Sequence, residues 1–136
     1  MIIPKLQPVK GKKTFDRIFK TGQRFYHDEA SAVICFSRES KEIPLINYAV
    51  LVRKKVAKKA VVRNRIKRLM RESLKQIFFE SADIKFINSF EYIVIGWNSA
   101  PKHPMLIHLN DVLPKVKTLL DKAFKANTKL IEENGN

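Results

Sequence analysis

The chain has 136 residues, 45% of them hydrophobic and nine of them Phe, a size for one domain with one core. Lys and Arg outnumber Asp and Glu by 27 to 13, giving a net charge of +14 and a pI near 10.1, far from the balance of an ordinary neutral enzyme. Such a charge calls for an acidic partner: RNA, DNA, an anionic membrane or an acidic protein. Cys35 stands alone, which excludes an intramolecular disulfide and a thiolate metal cluster and fits a reducing compartment. The N-terminus lacks the apolar core of a signal peptide, and no apolar run nears the roughly 18 residues that span a bilayer. The expectation is a cytoplasmic protein without a membrane anchor.

Residues 1–11, with Pro4, Pro8 and Gly11, are expected to be a flexible lead-in. Thr14 is the candidate N-cap of a first helix, whose Phe15, Ile18 and Phe19 share one face and whose stop is Gly22. Residues 30–37 are short, apolar and β-branched, and read as a strand; residues 45–53 read as another. Their closeness in sequence predicts antiparallel pairing. The state of residues 26–29 is left open. After a basic connector, residues 54–59, a long helix is expected from about Ala60 to Phe79, while residues 81–89 are mixed. Residues 91–97 form a third strand, almost continuously apolar and hence central. Pro101 and Pro104 break the following loop. Leu109, Val112, Leu113, Val116, Leu120, Ala123 and Phe124 then mark a last helix, with Pro114 near its first turn and residues 128–136 as a flexible end. The pattern is α+β, a single sheet packed with helices.

The helix after the connector is the most informative segment. Val62, Ile66, Leu69, Met70, Ser73 and Ile77 form a mainly apolar stripe at helical spacing. Arg63, Lys67 and Arg71 follow at i, i+4 and i+8, flanked by Asn64, Arg68 and Lys75. Like charges at i, i+4 cost a few tenths of a kcal/mol per pair. A solvated face normally mixes signs, yet Glu72 is the only acid between Arg53 and Lys75. A polyanion-binding face accounts for this arrangement.

Val52-Arg53-Lys54-Lys55, followed by Ala60-Val61-Val62-Arg63-Asn64-Arg65-Ile66-Lys67-Arg68-Leu69-Met70-Arg71, resembles the protein subunit of bacterial ribonuclease P. That family carries a strand ending in Val-Ser-Lys-Lys, a short turn, and then Ala-Val-x-Arg-Asn-Arg-Ile-Lys-Arg-Leu-x-Arg. Phe15-Asp16-Arg17-Ile18-Phe19-Lys20-Thr21-Gly22 is similar to the family's first helix, and Tyr92-Ile93-Val94-Ile95 to its last strand. The likeness runs from about Val9 to Phe124. Arg53 stands where the family usually has Ser, and the connector Val56-Ala57-Lys58-Lys59 lacks the usual Gly and is one residue longer.

The resemblance implies an αβββαβα order with a left-handed crossover through the basic helix, a hand rare among parallel crossovers. A third strand must then lie between Gln23 and Leu45 or within residues 45–55. It also implies an accessory subunit of an endoribonuclease that removes the 5′ leader from precursor tRNA. In that family catalysis belongs to a large RNA assisted by Mg2+, and the chain binds no cofactor by itself. Its partners would be the catalytic RNA and the leader, with no membrane partner, and it would be monomeric without RNA. Arg53, Lys54, Lys55, Arg63, Asn64, Arg65, Lys67, Arg68 and Arg71 are the candidates for the catalytic RNA, Arg65 with a structural ion pair as rival role. Phe15, Arg17, Phe19 and Lys20 are the candidates for the leader, held in a cleft between the first helix and the sheet; core packing is the rival role of both phenylalanines.

No catalytic residue and no metal ligand is assigned to the chain. Metal-assisted hydrolysis needs clustered carboxylates, and proton transfer a paired His and Lys. His27-Asp28-Glu29 is the nearest approach, but strand neighbours point to opposite faces, and His103 and His108 read as surface residues. The competing functions are another basic RNA-binding module such as a ribosomal protein, a DNA-binding protein, a membrane-surface or calmodulin-target helix, and a self-sufficient nuclease.

Overall fold

The computed structural model describes residues 3–39 and 41–134. In chain order these form β1 (Lys5–Pro8), α1 (Lys12–Thr21), β2 (Gln23–His27), β3 (Ala30–Phe36), β4 (Leu45–Val52), α2 (Ala60–Glu80), α3 (Ile84–Ser89), β5 (Phe90–Trp97), a short 3-10 turn (Pro104–Leu106) and α4 (Leu109–Asn134).

One mixed sheet has the order β1-β4-β5-β3-β2. β4 runs parallel to both β1 and β5, and β3 runs antiparallel to both β5 and β2. β5 is central because both of its faces are apolar: Ile93, Ile95 and Trp97 enter the main core, and Val94 enters a second core with Tyr92 beside it. Its insertion corrects the pairing expected from sequence. β3 and β4 are not neighbours; β5 lies between them and bonds to both. The third strand implied by the family is β2, joined to β3 by a turn in which Asp28 takes a positive φ of 50°.

The main core lies between one sheet face and the stripes of α2 and α4. Val62, Ile66, Leu69, Met70, Ser73 and Ile77 are all buried, and Ser73 satisfies its hydroxyl by donating to the Leu69 carbonyl at 2.7 Å. α4 contributes Val112, Val116, Leu119, Leu120 and Ala123. The mixed segment after α2 holds α3, where Asp83 caps the helix by accepting from the Lys85 and Phe86 amides. Phe86 then packs its ring against Phe78, Phe90 and Phe124.

The opposite sheet face carries α1, which buries Ile18 against Val33 and Val94. α1 starts at Lys12, after Gly11 with φ 90°, and not at a Thr14 cap. The helix does end at Gly22, but not through a left-handed turn: its φ is −74°, and the position takes glycine because a Cβ there would lie 2.6 Å from both the Ile18 carbonyl oxygen and a Val33 methyl. Of the two ends expected to be flexible, residues 1–2 and 135–136 lie outside the described residues, and regular structure occupies part of the rest. Lys5–Pro8 is a strand paired with β4, and α4 continues to Asn134.

Candidate nucleic-acid interface

The connector leaves β4 in a tight turn, with the Val56 and Ala57 amides donating to the Arg53 carbonyl at 3.0 and 3.3 Å. Ala57 is buried, so Arg53, Lys54, Lys55, Lys58 and Lys59 are displayed around an apolar anchor. α2 then begins at Ala60, with Lys59 at the N-cap position making no side-chain cap and no acid in the first turn. The positive end of the helix dipole therefore adds to these cations instead of being neutralised by the chain.

The structure divides the cations of α2 into two kinds. Arg63 and Arg65 are held. The Arg63 guanidinium donates to the Ala57 and Lys58 carbonyls at 2.9 and 2.7 Å and clasps the connector to the helix. Arg65 donates through Nε and Nη2 to the Ile107 carbonyl at 3.1 and 2.8 Å. Its structural partner is thus a backbone carbonyl and not the acid considered from sequence. Lys67 and Arg71 are half-exposed, and Asn64 and Arg68 are exposed. Among the described residues the Arg68–Glu72 pair, at 3.9 Å, is the one ion pair on this helix, and no carboxylate comes within 4.0 Å of Arg63, Lys67 or Arg71. An exposed pair at that separation contributes little, so the band remains available to an outside anion.

On the other sheet face, Phe15 and Phe19 stack with ring centroids 6.4 Å apart. Both are half-buried against the core of Ile18, Val33 and Val94, so core packing accounts for part of each ring and the remainder faces outward. Arg17 reaches across to donate to the Tyr92 hydroxyl at 2.9 Å, with its guanidinium carbon 5.3 Å from that ring's centroid. Lys20 is exposed at the end of the helix. Sequence reasoning did not select Tyr92 as a site residue. The alternation of β5 could have found it, because Tyr92 shares a face with Val94, beneath α1.

The His27-Asp28-Glu29 segment is a brace. The Lys115 ammonium donates to Asp28 at 2.6 Å and to Glu29 at 3.4 Å, tying the β2–β3 turn to α4. This hydrogen bond holds the Asp28 carboxyl below its ordinary range and lifts Lys115 above its own. His27 Nε2 is 3.6 Å from the same Asp28 oxygen. His103 and His108 are exposed, and the His108 amide donates to Asp111 at the start of α4. Among the described residues no group of three or more His, Cys, Asp or Glu is gathered as a metal site, and no helix is long and apolar enough to cross a membrane.

The family model described as Ribonuclease P matches residues 3–123. The chain belongs to the ribonuclease P protein family. Among curated relatives, the ribonuclease P protein component of Prochlorococcus marinus strain NATL1A is 34% identical over 82 residues, covering 54% of this chain and 64% of that protein. The corresponding protein of Carboxydothermus hydrogenoformans is 30% identical over 87 residues, covering 64% of this chain and 70% of its own length. Among solved structures, the RNase P protein of Staphylococcus aureus superposes with a TM-score of 0.62 at 23% identity, over 85% of this chain and 94% of that one. That of Thermotoga maritima gives 0.63 at 19% identity, over 85% and 96%. The structural likeness shows a shared fold, with the mixed five-stranded sheet.

Proposed function

We propose that this chain is the protein subunit of ribonuclease P, a ribonucleoprotein endoribonuclease that removes the 5′ leader from precursor tRNA. The observation that carries this reading is the cation band from Arg53 to Arg71, which the chain's own acids leave almost untouched. Lys54, Lys55, Lys67, Arg68 and Arg71 contact phosphates of the catalytic RNA, Asn64 contacts the same RNA between them, and Arg53 lies at the mouth of the connector. Arg63 and Arg65 first position the surface and offer their remaining N–H groups to RNA. Arginine suits this task because its planar fork can bind phosphate oxygens in pairs.

The leader occupies the cleft beside α1. Single strands bind where bases stack on aromatic rings flanked by cations. Phe15 and Phe19, each half-buried, supply aromatic surface, and Arg17 and Lys20 supply charge. Hydrolysis takes place on the RNA subunit, with Mg2+ serving that reaction, and the chain contributes binding. It works in the cytoplasm and is a monomer until it meets RNA.

A ribosomal or DNA-binding role predicts a different preference. Titrating the chain against bacterial ribonuclease P RNA, ribosomal RNA fragments and duplex DNA at several salt concentrations separates these cases. The proposal requires the tightest binding to the ribonuclease P RNA at every salt concentration. Equal affinity for all polyanions contradicts it.

A further inference from the structure

The cation band borders an apolar surface that charge alone does not explain. Val61, on the first turn of α2, is 59% exposed, and Met105, on the 3-10 turn, is 60% exposed. Leu106 beside it is 63% exposed. Val61 and Met105 line a cavity of about 380 Å3 together with Asn64, Arg65, Arg68 and Arg71. They also line a second cavity, of about 420 Å3, whose other walls include Val56, Pro101 and Lys59. The two cavities share these two side chains and so form one surface, apolar in the middle and cationic around it.

Three observations narrow the occupant. The charged part of the rim has one sign, because Lys58, Lys59, Arg65, Arg68 and Arg71 line the two cavities and no Asp or Glu does. The Arg65 guanidinium is fixed in place by the Ile107 carbonyl at 2.8 Å, which gives the rim one planar cation that does not have to be ordered on binding. Asn64 offers an amide that both donates and accepts. A regular duplex stacks its bases inward and would leave the apolar centre uncovered. An unpaired nucleotide presents an apolar base face, a polar base edge and a phosphate, one for each part of this surface.

We propose that Val61 and Met105 form a platform for an unpaired nucleobase of RNA, with Asn64 at the base edge and Arg68 and Arg71 at the flanking phosphates. The inference rests on reading α2 as the face toward the catalytic RNA and adds that this face recognises an unstacked base as well as a backbone. It predicts two energetically distinct kinds of variant on one helix. Loss of a phosphate contact reduces the salt dependence of binding, by on the order of 0.7–0.9 in slope for each contact. Loss of a stacking contact lowers affinity without changing the slope.

The test uses the full chain and bacterial ribonuclease P RNA. Binding is titrated over a range of salt for the wild type, for V61S/M105S and for R68A/R71A, with base-specific chemical probing of the RNA in each complex. Both apolar positions are exposed, so the first variant should fold as the wild type does, which a thermal melt checks. The proposal expects V61S/M105S to bind roughly 5- to 30-fold more weakly with an unchanged slope. At least one unpaired base protected by the wild type should also become reactive in that complex. R68A/R71A should show a reduced slope. Wild-type affinity and protection in V61S/M105S overturn the platform while leaving the RNA-binding reading intact. Failure of the wild-type chain to bind this RNA overturns both, as does binding by the apolar patch to anionic vesicles in preference to RNA.

Discussion

The guanidinium of Arg65 donates two hydrogen bonds to the carbonyl of Ile107, across 42 positions of sequence. This contact joins the second turn of the basic helix to the chain just before α4, and Ile107 itself is buried. A cation that could have been spent wholly on an outside ligand is used in part to set the frame on which the others stand. R65K keeps the charge and loses the fork. We expect R65K to cost about 1–2 kcal/mol of stability, read as a lowered midpoint in urea with an unchanged m-value. An unchanged midpoint would show that the contact positions nothing.

Gly22 sits where α1 meets β2 with no space for a side chain. One of the obstructing atoms is a backbone carbonyl oxygen, which cannot rotate away. G22A should therefore destabilise the fold by about 1–3 kcal/mol and shift α1 relative to Val33. Leader-dependent binding should weaken while affinity for RNA lacking a leader is retained. Comparing precursor and mature tRNA as ligands of the reconstituted enzyme measures this.

The Lys115 brace gives stability a defined pH dependence. Asp28 has its pKa lowered by the fold, so its contribution is present above the unfolded value near 3.8 and is lost as pH falls through the lower folded value. Lys115 has its pKa raised, so its contribution is complete below about 10.5 and disappears as pH rises through the higher folded value. K115M should flatten both limbs of a stability–pH profile and leave the neutral region with its former slope. An acid limb identical to that of the wild type would assign the acid sensitivity to other carboxylates.

Arg63, Lys67 and Arg71 share a helical row but not a role. R63A should lower thermal stability, because it releases the Ala57 and Lys58 carbonyls from their clasp. K67A and R71A should leave the melting temperature unchanged and each reduce the salt slope of RNA binding by roughly 0.7–0.9. A stable R63A with the same slope change would place Arg63 with the other two.

The parts of the fold carried by local periodicity could be read from sequence. α2 was readable because its apolar positions recur at helical spacing and its remaining face carries almost one sign of charge. The central place of β5 followed from residues that are apolar on both faces. β1 was not readable, since Lys-Leu-Gln-Pro has no strand pattern of its own and becomes a strand by pairing with β4. The separation of β3 from β4 was equally hidden, because it depends on a strand inserted from much later in the chain. α3 is six residues long, too short for a period to show. The partners of Arg65, Arg17 and Lys115 lie 42, 75 and 87 positions away, and no local pattern encodes contacts at that range.

Reconstitution tests the central claim most directly. The purified chain is mixed with bacterial ribonuclease P RNA and precursor tRNA at low magnesium, with each component also assayed alone. The account predicts cleavage at the leader junction that the RNA performs poorly by itself, that the chain restores, and that the chain alone never performs. Specific cleavage by the chain without RNA, or no effect of the chain on the RNA's activity, would contradict it.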